Sequence, residues 1–288
     1  MDERKDFMFS RKDLQRLIIP LIVEQFLSIT IGMADTVMVT GVGEHAVSAI
    51  SLVDAINLLL IQVFSALATG GAVVAAQYLG ARARERACDT AKQLVWSTTL
   101  IAALIGLVAA VWNGPILGAI YGALEPNVME NARVYFLISA ISYPFLALYN
   151  AGAALYRSMG NSRISLIISL IMNVVNVAGN ALLIFVFDMG VAGAALASLA
   201  SRVLAAVIVT KLICHKSNPI HVNRLFHFEW NGDILRRILG IGVPNGMENG
   251  VFQVGKLVVS NLIAGLGTSV IAANAICNTV SGLVCVPG

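Results

Sequence analysis

Acidic and amide side chains stand at helical spacing inside the long apolar stretches of this 288-residue chain. Glu24 and Asp35 are eleven residues apart in the first such stretch. At 100° per residue that spacing returns to the same helix face and separates the two carboxylates by about 16 Å along the axis. A carboxylate at the centre of a membrane-spanning helix costs roughly 2.5–3.5 kcal/mol on insertion scales, so it faces a polar cavity, pairs with a neighbour, or binds a cation or proton. Asp35 therefore reads either as a cation or proton site or as a static hydrogen bond between helices. Glu24 and the later Glu248 read either as substrate or gating residues or as packing acids.

Each of these two glutamates follows a proline by four residues, Pro20 before Glu24 and Pro244 before Glu248. Proline removes one backbone donor and frees the carbonyl four residues earlier, which bends a helix at that point. A bend beside a buried acid suits a moving helix, although kinks are common in membrane helices. Ser165, Ser169, Asn173, Asn176 and Asn180 form a polar stripe at spacings of four, four, three and four. Such a stripe is a binding face or simply hydrogen-bond glue between helices, at about 0.6 kcal/mol per contact. Asn245, Asn249, Gln253, Lys256 and Ser260 make a similar stripe, and Lys256 is a candidate partner of Glu248. Asp54 lies near the end of its stretch and suggests a solvated role at a mouth, whereas Arg202 suggests a snorkelling or paired cation.

The elements that must position these groups follow from composition. Hydrophobic residues make up 58% of the chain and charged residues 12%, against about a quarter charged in soluble domains. Several apolar stretches reach 18 residues or more, enough to cross about 30 Å of hydrocarbon as helix, and alternating ten-residue strands are absent. Hydropathy and Gly/Pro punctuation predict helices at 14–40, 48–78, 93–113, 133–156, 163–187, 190–213 and 236–263, with an eighth from about 268. No cleavage site follows the first stretch, so it is expected to persist in the mature protein.

Loop charge then alternates. One side carries Arg4, Lys5, Arg11, Lys12 and Arg16; Arg82, Arg84, Arg86 and Lys92; Arg157 and Arg163; and Lys211, Lys216, Arg224, Arg236 and Arg237. The other side carries Glu44, Glu125, Glu130 and Asp188, which by the positive-inside rule puts the N-terminus in the cytoplasm of a bacterial inner membrane. At an offset of 224, Pro20 meets Pro244, Glu24 meets Glu248, Gly41 meets Gly265, Gly43 meets Gly267 and Ala49 meets Ala273. Both copies start on the same side after an even number of helices, so the repeats are parallel. The expected fold is an all-α polytopic membrane protein of two parallel-repeat six-helix bundles, of which the first and the start of the second are present. The segments are a cytoplasmic N-terminal stretch at 1–13, a six-helix lobe at 14–213, an inter-lobe linker at 214–235 and the start of the second lobe at 236–288. Such a repeat implies roughly twelve helices and about 450 residues in all, so the chain is expected to be partial.

Enzymatic strings such as GxSxG, Walker A and HExxH are absent, and His45, His215, His221 and His227 fall in loops. The expectation is a non-enzyme with no cofactor. Cys88, Cys214, Cys277 and Cys285 are scattered without metal-ligand spacing and read as reduced packing or loop residues. The basic residues flank membrane spans, so the net charge of +3 does not point to nucleic acid.

Taken in order, the chain's motifs resemble the multidrug and toxic compound extrusion (MATE) family. They are Pro20 with Glu24-Gln25, Asp35-Thr-Val-Met-Val39, Gly70-Gly71 with Ala76-Gln77-Tyr-Leu-Gly80, Tyr156-Arg-Ser-Met-Gly-Asn161, Gly190-Val-Ala-Gly-Ala-Ala195, and Pro244 with Glu248. The resemblance implies a monomeric antiporter that exports amphiphilic, often cationic compounds in exchange for Na⁺ or H⁺. It implies that Asp35 takes the coupling cation or proton, Na⁺ included, with Asn176 and Asn180 as partners. Asn180 stands where some branches carry a second acid, which leaves the coupling ion open. Glu248 resembles an acid that other branches use for coupling or for cationic substrates. Two rivals remain, a lipid-linked oligosaccharide flippase, which calls for a more cationic cavity, and a channel or scaffold, which needs no coupling acid.

Overall fold

The computed structural model describes residue 15 and residues 18–24, 26–27, 38–122, 125–222 and 230–264, with side chains through 252 and at 255. Among the described residues the regular elements are all helical. The leading helix α1 is helical at 18–24 and 26–27, and then come α2 (Glu44–Gly80), α3 (Arg84–Val111) and the short α4 (Asn113–Tyr121). They are followed by α5 (Pro126–Ser158), α6 (Ser162–Asn180), a π-helical turn (Ala181–Val186), α7 (Gly190–Ile213) and α8 (Gly232–Ala264). Five of the described helices, counting α6 and its π turn as one, are long and apolar enough to cross a membrane. Asp35 and the eighth predicted helix lie outside the described residues, and so does the side chain of Lys256.

The helices run past the spans that hydropathy marks. α3 begins at Arg84 rather than 93, and α5 begins at Pro126 rather than 133. Charged residues end a hydropathy window but not a helix, and Pro126 at the first turn of α5 costs no internal hydrogen bond. The short α4, absent from the prediction, is anchored where the Tyr121 hydroxyl donates to the Leu52 carbonyl at 2.6 Å. Burial pushes that hydroxyl above the ordinary tyrosine range.

α5 is the central post, with α2, α3 and α7 packed along it, while α6 leans on α7. Tyr143, Tyr156, Phe64 and Phe136 are its largest fully buried neighbours, and the Phe64 and Tyr143 rings lie 5.9 Å apart. On the outside, Leu104, Leu107, Val111, Val174, Phe185 and Val186 are all more than half exposed, the apolar belt expected where lipid rather than water is the neighbour.

α8 docks on α2 near the end that carries the basic loops. A Cβ added at Gly70 would lie 2.6 Å from the Gly242 backbone nitrogen and 2.7 Å from the Ile238 carbonyl oxygen. Only glycine lets two helix backbones approach so closely. Ile234 and Ile238 are buried beside this crossing, and the Arg237 guanidinium sits 5.9 Å from the Tyr78 ring centroid. The loop after α7 also folds back onto the first bundle. Arg84 donates to the carbonyls of Pro219 and Asn218, each at 2.8 Å, and Ile220 and Val222 are buried. Cys88 and Cys214 are free thiols, and burial pushes the Cys214 thiol up, which suits the packing role expected of it.

Candidate functional site

Two polar clusters sit inside the first bundle. The one nearer the basic loops is centred on Glu24. Its carboxylate accepts from the Ser165 hydroxyl at 3.1 and 3.3 Å, and Arg157 donates to the same hydroxyl at 3.3 Å. The buried Tyr149 hydroxyl donates toward Glu24 and accepts from Ser169. Helices α1, α5 and α6 thus meet around one half-buried acid with an arginine nearby. Pro20, four residues before it, is helical and buried.

Beyond Ser169 the stripe on α6 leads to the second cluster. Asn176 donates to the Ser198 hydroxyl of α7 at 3.0 Å and accepts from Asn180 at 3.4 Å. Asn176 is 8% exposed and Asn180 is 3% exposed. Amide and hydroxyl oxygens of this kind are the hard donors that Na⁺ and similar cations take. Immediately after Asn180 the ladder widens into the π turn Ala181–Val186, a distortion often found at functional positions.

Across the bundle, Asp54 of α2 accepts from Asn57 at 3.1 Å and from the Tyr135 hydroxyl at 3.2 Å. The Tyr143 hydroxyl donates to Asn57 at 2.7 Å, and Arg202 of α7 donates to Ser142 of α5. Asp54 is therefore half-buried in an interhelical network, not standing in open solvent as its place near the end of the stretch suggests. Nearer the acidic loops, a cavity of about 590 Å³ opens between α2, α5 and α7, lined in part by His45, Glu130 and Asp188. Tyr143→Phe deletes one of the network's hydrogen bonds and is expected to cost about 1 kcal/mol, within the range for interhelical bonds in membranes. A lower thermal midpoint of the detergent-solubilised protein would register that cost, and an unchanged midpoint would contradict it.

In α8, Pro244 and Glu248 are exposed, and Asn249 donates to Asn245 at 3.4 Å. The structure thus brings Asn176 and Asn180 together and joins Glu24 to the start of the same stripe, while Glu248 stands apart on the second-bundle helix. Ser198 went unmarked in the sequence, because a lone hydroxyl in a run of small residues carries no spacing signal.

Long apolar helices, a belt of exposed aliphatic side chains and polar clusters between helices define a multi-pass α-helical membrane protein built for passage of polar species. The sequence matches the MatE family over residues 20–182, and the chain belongs to that family of efflux transporters. It is 29% identical over 257 residues to the "Uncharacterized transporter YisQ" of Bacillus subtilis (strain 168), covering 86% of this chain and 55% of the relative. It is 27% identical over 286 residues to the "Probable multidrug resistance protein NorM" of Thermotoga maritima, covering 96% of this chain and 60% of the relative. The chain thus spans somewhat over half the length of these relatives.

Among solved structures, one described as an "Outward-facing conformation of a multidrug resistance MATE family transporter of the MOP superfamily" superposes with TM-score 0.85 at 20% identity. The match covers 96% of this chain and 61% of that one. A MOP superfamily transporter from Pyrococcus furiosus gives 0.87 at 19% identity, again over 96% and 61%. The fold is accordingly the bundle pair, with the first bundle and the opening of the second represented.

Proposed function

We propose that the whole protein is a secondary antiporter of a bacterial inner membrane, N-terminus in the cytoplasm, exporting amphiphilic organic cations in exchange for Na⁺ or H⁺. The observation that supports it best is the buried cluster of Asn176, Asn180 and Ser198 beside the π turn. Oxygen donors held between two helices, with an acid expected on α1, make a small site for a hard cation or a proton. Asp35 supplies the charge, and the asparagines supply neutral oxygens and orientation. Because the chain presents an amide at 180 where a second carboxylate would add charge, one acid carries the coupling ion in this bundle.

Glu24 serves the organic cation or the gate. Its partners Ser165 and Tyr149 come from different helices, so a bend at Pro20 would break that set and free the carboxylate. Glu248 and Pro244 play the matching part in the second bundle. Ion and drug then bias one inward/outward equilibrium in opposite directions, and ion entry drives drug out by linkage.

The test is dye-cation efflux from vesicles that hold the full-length transporter, with Na⁺ and pH gradients imposed separately. One gradient is expected to drive efflux, and Asp35→Asn is expected to abolish that response while the protein is still made. Efflux that ignores both gradients, or that survives Asp35→Asn unchanged, would refute the reading.

A further inference from the structure

Ser198 and Arg202 lie four residues apart, on one face of α7, yet they bond to different helices. Ser198 accepts from Asn176 of α6, while Arg202 donates to Ser142 of α5. Ser142 is 1% exposed and spends its own proton on the Ser139 carbonyl, so its oxygen is oriented to accept from a cation. The Arg202 charge also acts through space on Asp54 of α2 and on Tyr143 of α5. Asp54 in turn is held by Asn57 and Tyr135.

What else fixes α7 is thin. Its buried face is largely Gly193, Ala194, Ala195, Ala197, Ala205 and Ala206. Small side chains allow close approach but interlock poorly, so a helix of this kind rotates against its neighbours at little steric cost. A rotation of about 20° moves an atom some 5–6 Å from the axis by about 2 Å, which is enough to break a hydrogen bond. The arginine is costly inside the membrane, at roughly 2.5–3.5 kcal/mol, and a merely packed helix has no use for it.

We propose that Arg202 is a positioning residue for ion coupling: anchored on Ser142 and drawn toward Asp54, it sets the rotation of α7 and so holds the Ser198 hydroxyl against Asn176. The inference rests on the reading of Asp35, Asn176 and Asn180 as the ion site. Asp54 is then the counter-charge that steadies the positioner, and its role is distinct from that of the coupling acid.

Full-length protein in vesicles distinguishes the two levels. For Arg202→Met, and separately for Ser142→Ala, the coupling-ion concentration giving half-maximal dye efflux is expected to rise about tenfold or more, with the maximal rate at saturating ion held within about twofold. Dye binding without the ion stays as in the parent. Arg202→Lys, which keeps a cation within reach of Ser142, recovers part of the shift, and Asp54→Asn moves the ion dependence in the same direction by less. Unchanged ion dependence in both Arg202→Met and Ser142→Ala overturns the proposal. So does a parallel loss of maximal rate and ion-free dye binding, the mark of a purely structural residue. If the parent itself ignores both gradients, the antiport reading falls; if the parent responds and Arg202→Met matches it, only the positioning role falls.

Discussion

Gly70→Ala is expected to abolish transport while the first bundle stays folded. The added methyl would sit 2.6 Å from the Gly242 nitrogen and 2.7 Å from the Ile238 carbonyl, both backbone atoms of α8. A side chain in the way can change rotamer, but a helix backbone has to move as a whole. Overpacking of this kind costs about 1–3 kcal/mol, a factor of roughly 5 to 150 in the population of the state that carries the contact. The cost falls on the seam between α2 and α8, because the matching face of Gly242 meets Leu67 and Ala66 of the same helix. An exchanger that must form and break this seam in each cycle is trapped once one of its two states is penalised. Gly240→Ala is the matched control, since a Cβ there meets nothing within 4 Å. Efflux should vanish in the first variant and persist in the second, with both eluting as monodisperse protein. Equal efflux from the two would remove the seam from the transport cycle.

Gly106→Ala probes the opposite case and is expected to lower stability directly. A methyl there would lie 2.6 Å from the Ala140 carbonyl oxygen, at the crossing of α3 and α5 inside the first bundle. α5 also carries Tyr135, Ser142 and Tyr143, so prising α3 away from it strains the post on which Asp54 and Arg202 depend. A loss of about 1–3 kcal/mol follows from overpacking against backbone. The expected readings are a thermal midpoint several degrees lower in detergent and a reduced yield. Gly118→Ala, with open space around it, should match the parent. If Gly106→Ala melts with Gly118→Ala, the tight crossing of α3 and α5 is wrong.

These contrasts bear on what can be read from residues alone. The stripe Ser165, Ser169, Asn173, Asn176, Asn180 was legible because one helix carries it at a single period, and most of it does line up between helices. Its partners were not legible. Ser198 lies 22 residues beyond Asn176 and belongs to another helix, and Tyr135 and Tyr143 reach Asp54 and Asn57 from 81 and 86 residues away. Periodicity speaks about one element at a time, and such pairings exist only after helices have packed.

The fold was the easier part, because a bilayer permits few backbone solutions and loop charge reports the side. Helix ends were harder: Arg84, Glu85 and Arg86 close a hydropathy window yet stay helical at the start of α3. Gly70 was visible as part of a Gly-Gly pair, but its close neighbour Gly242 lies far along the chain and becomes one only when α8 docks.

The π turn after Asn180 has a consequence for comparison between relatives. A widened turn holds one residue more than an α-helical turn spanning the same hydrogen-bonded ring. Between Ala181 and Val186 the chain therefore carries the equivalent of a single-residue insertion hidden inside a continuous helix. Removing one residue there would let the ladder close as α-helix and turn everything after it by about 100° relative to Asn180. An ungapped alignment with a relative that lacks the widened turn would set residues from opposite helix faces against each other from that point to the loop before α7. The gap belongs inside the helix, one residue long, where alignment habits are least willing to place it.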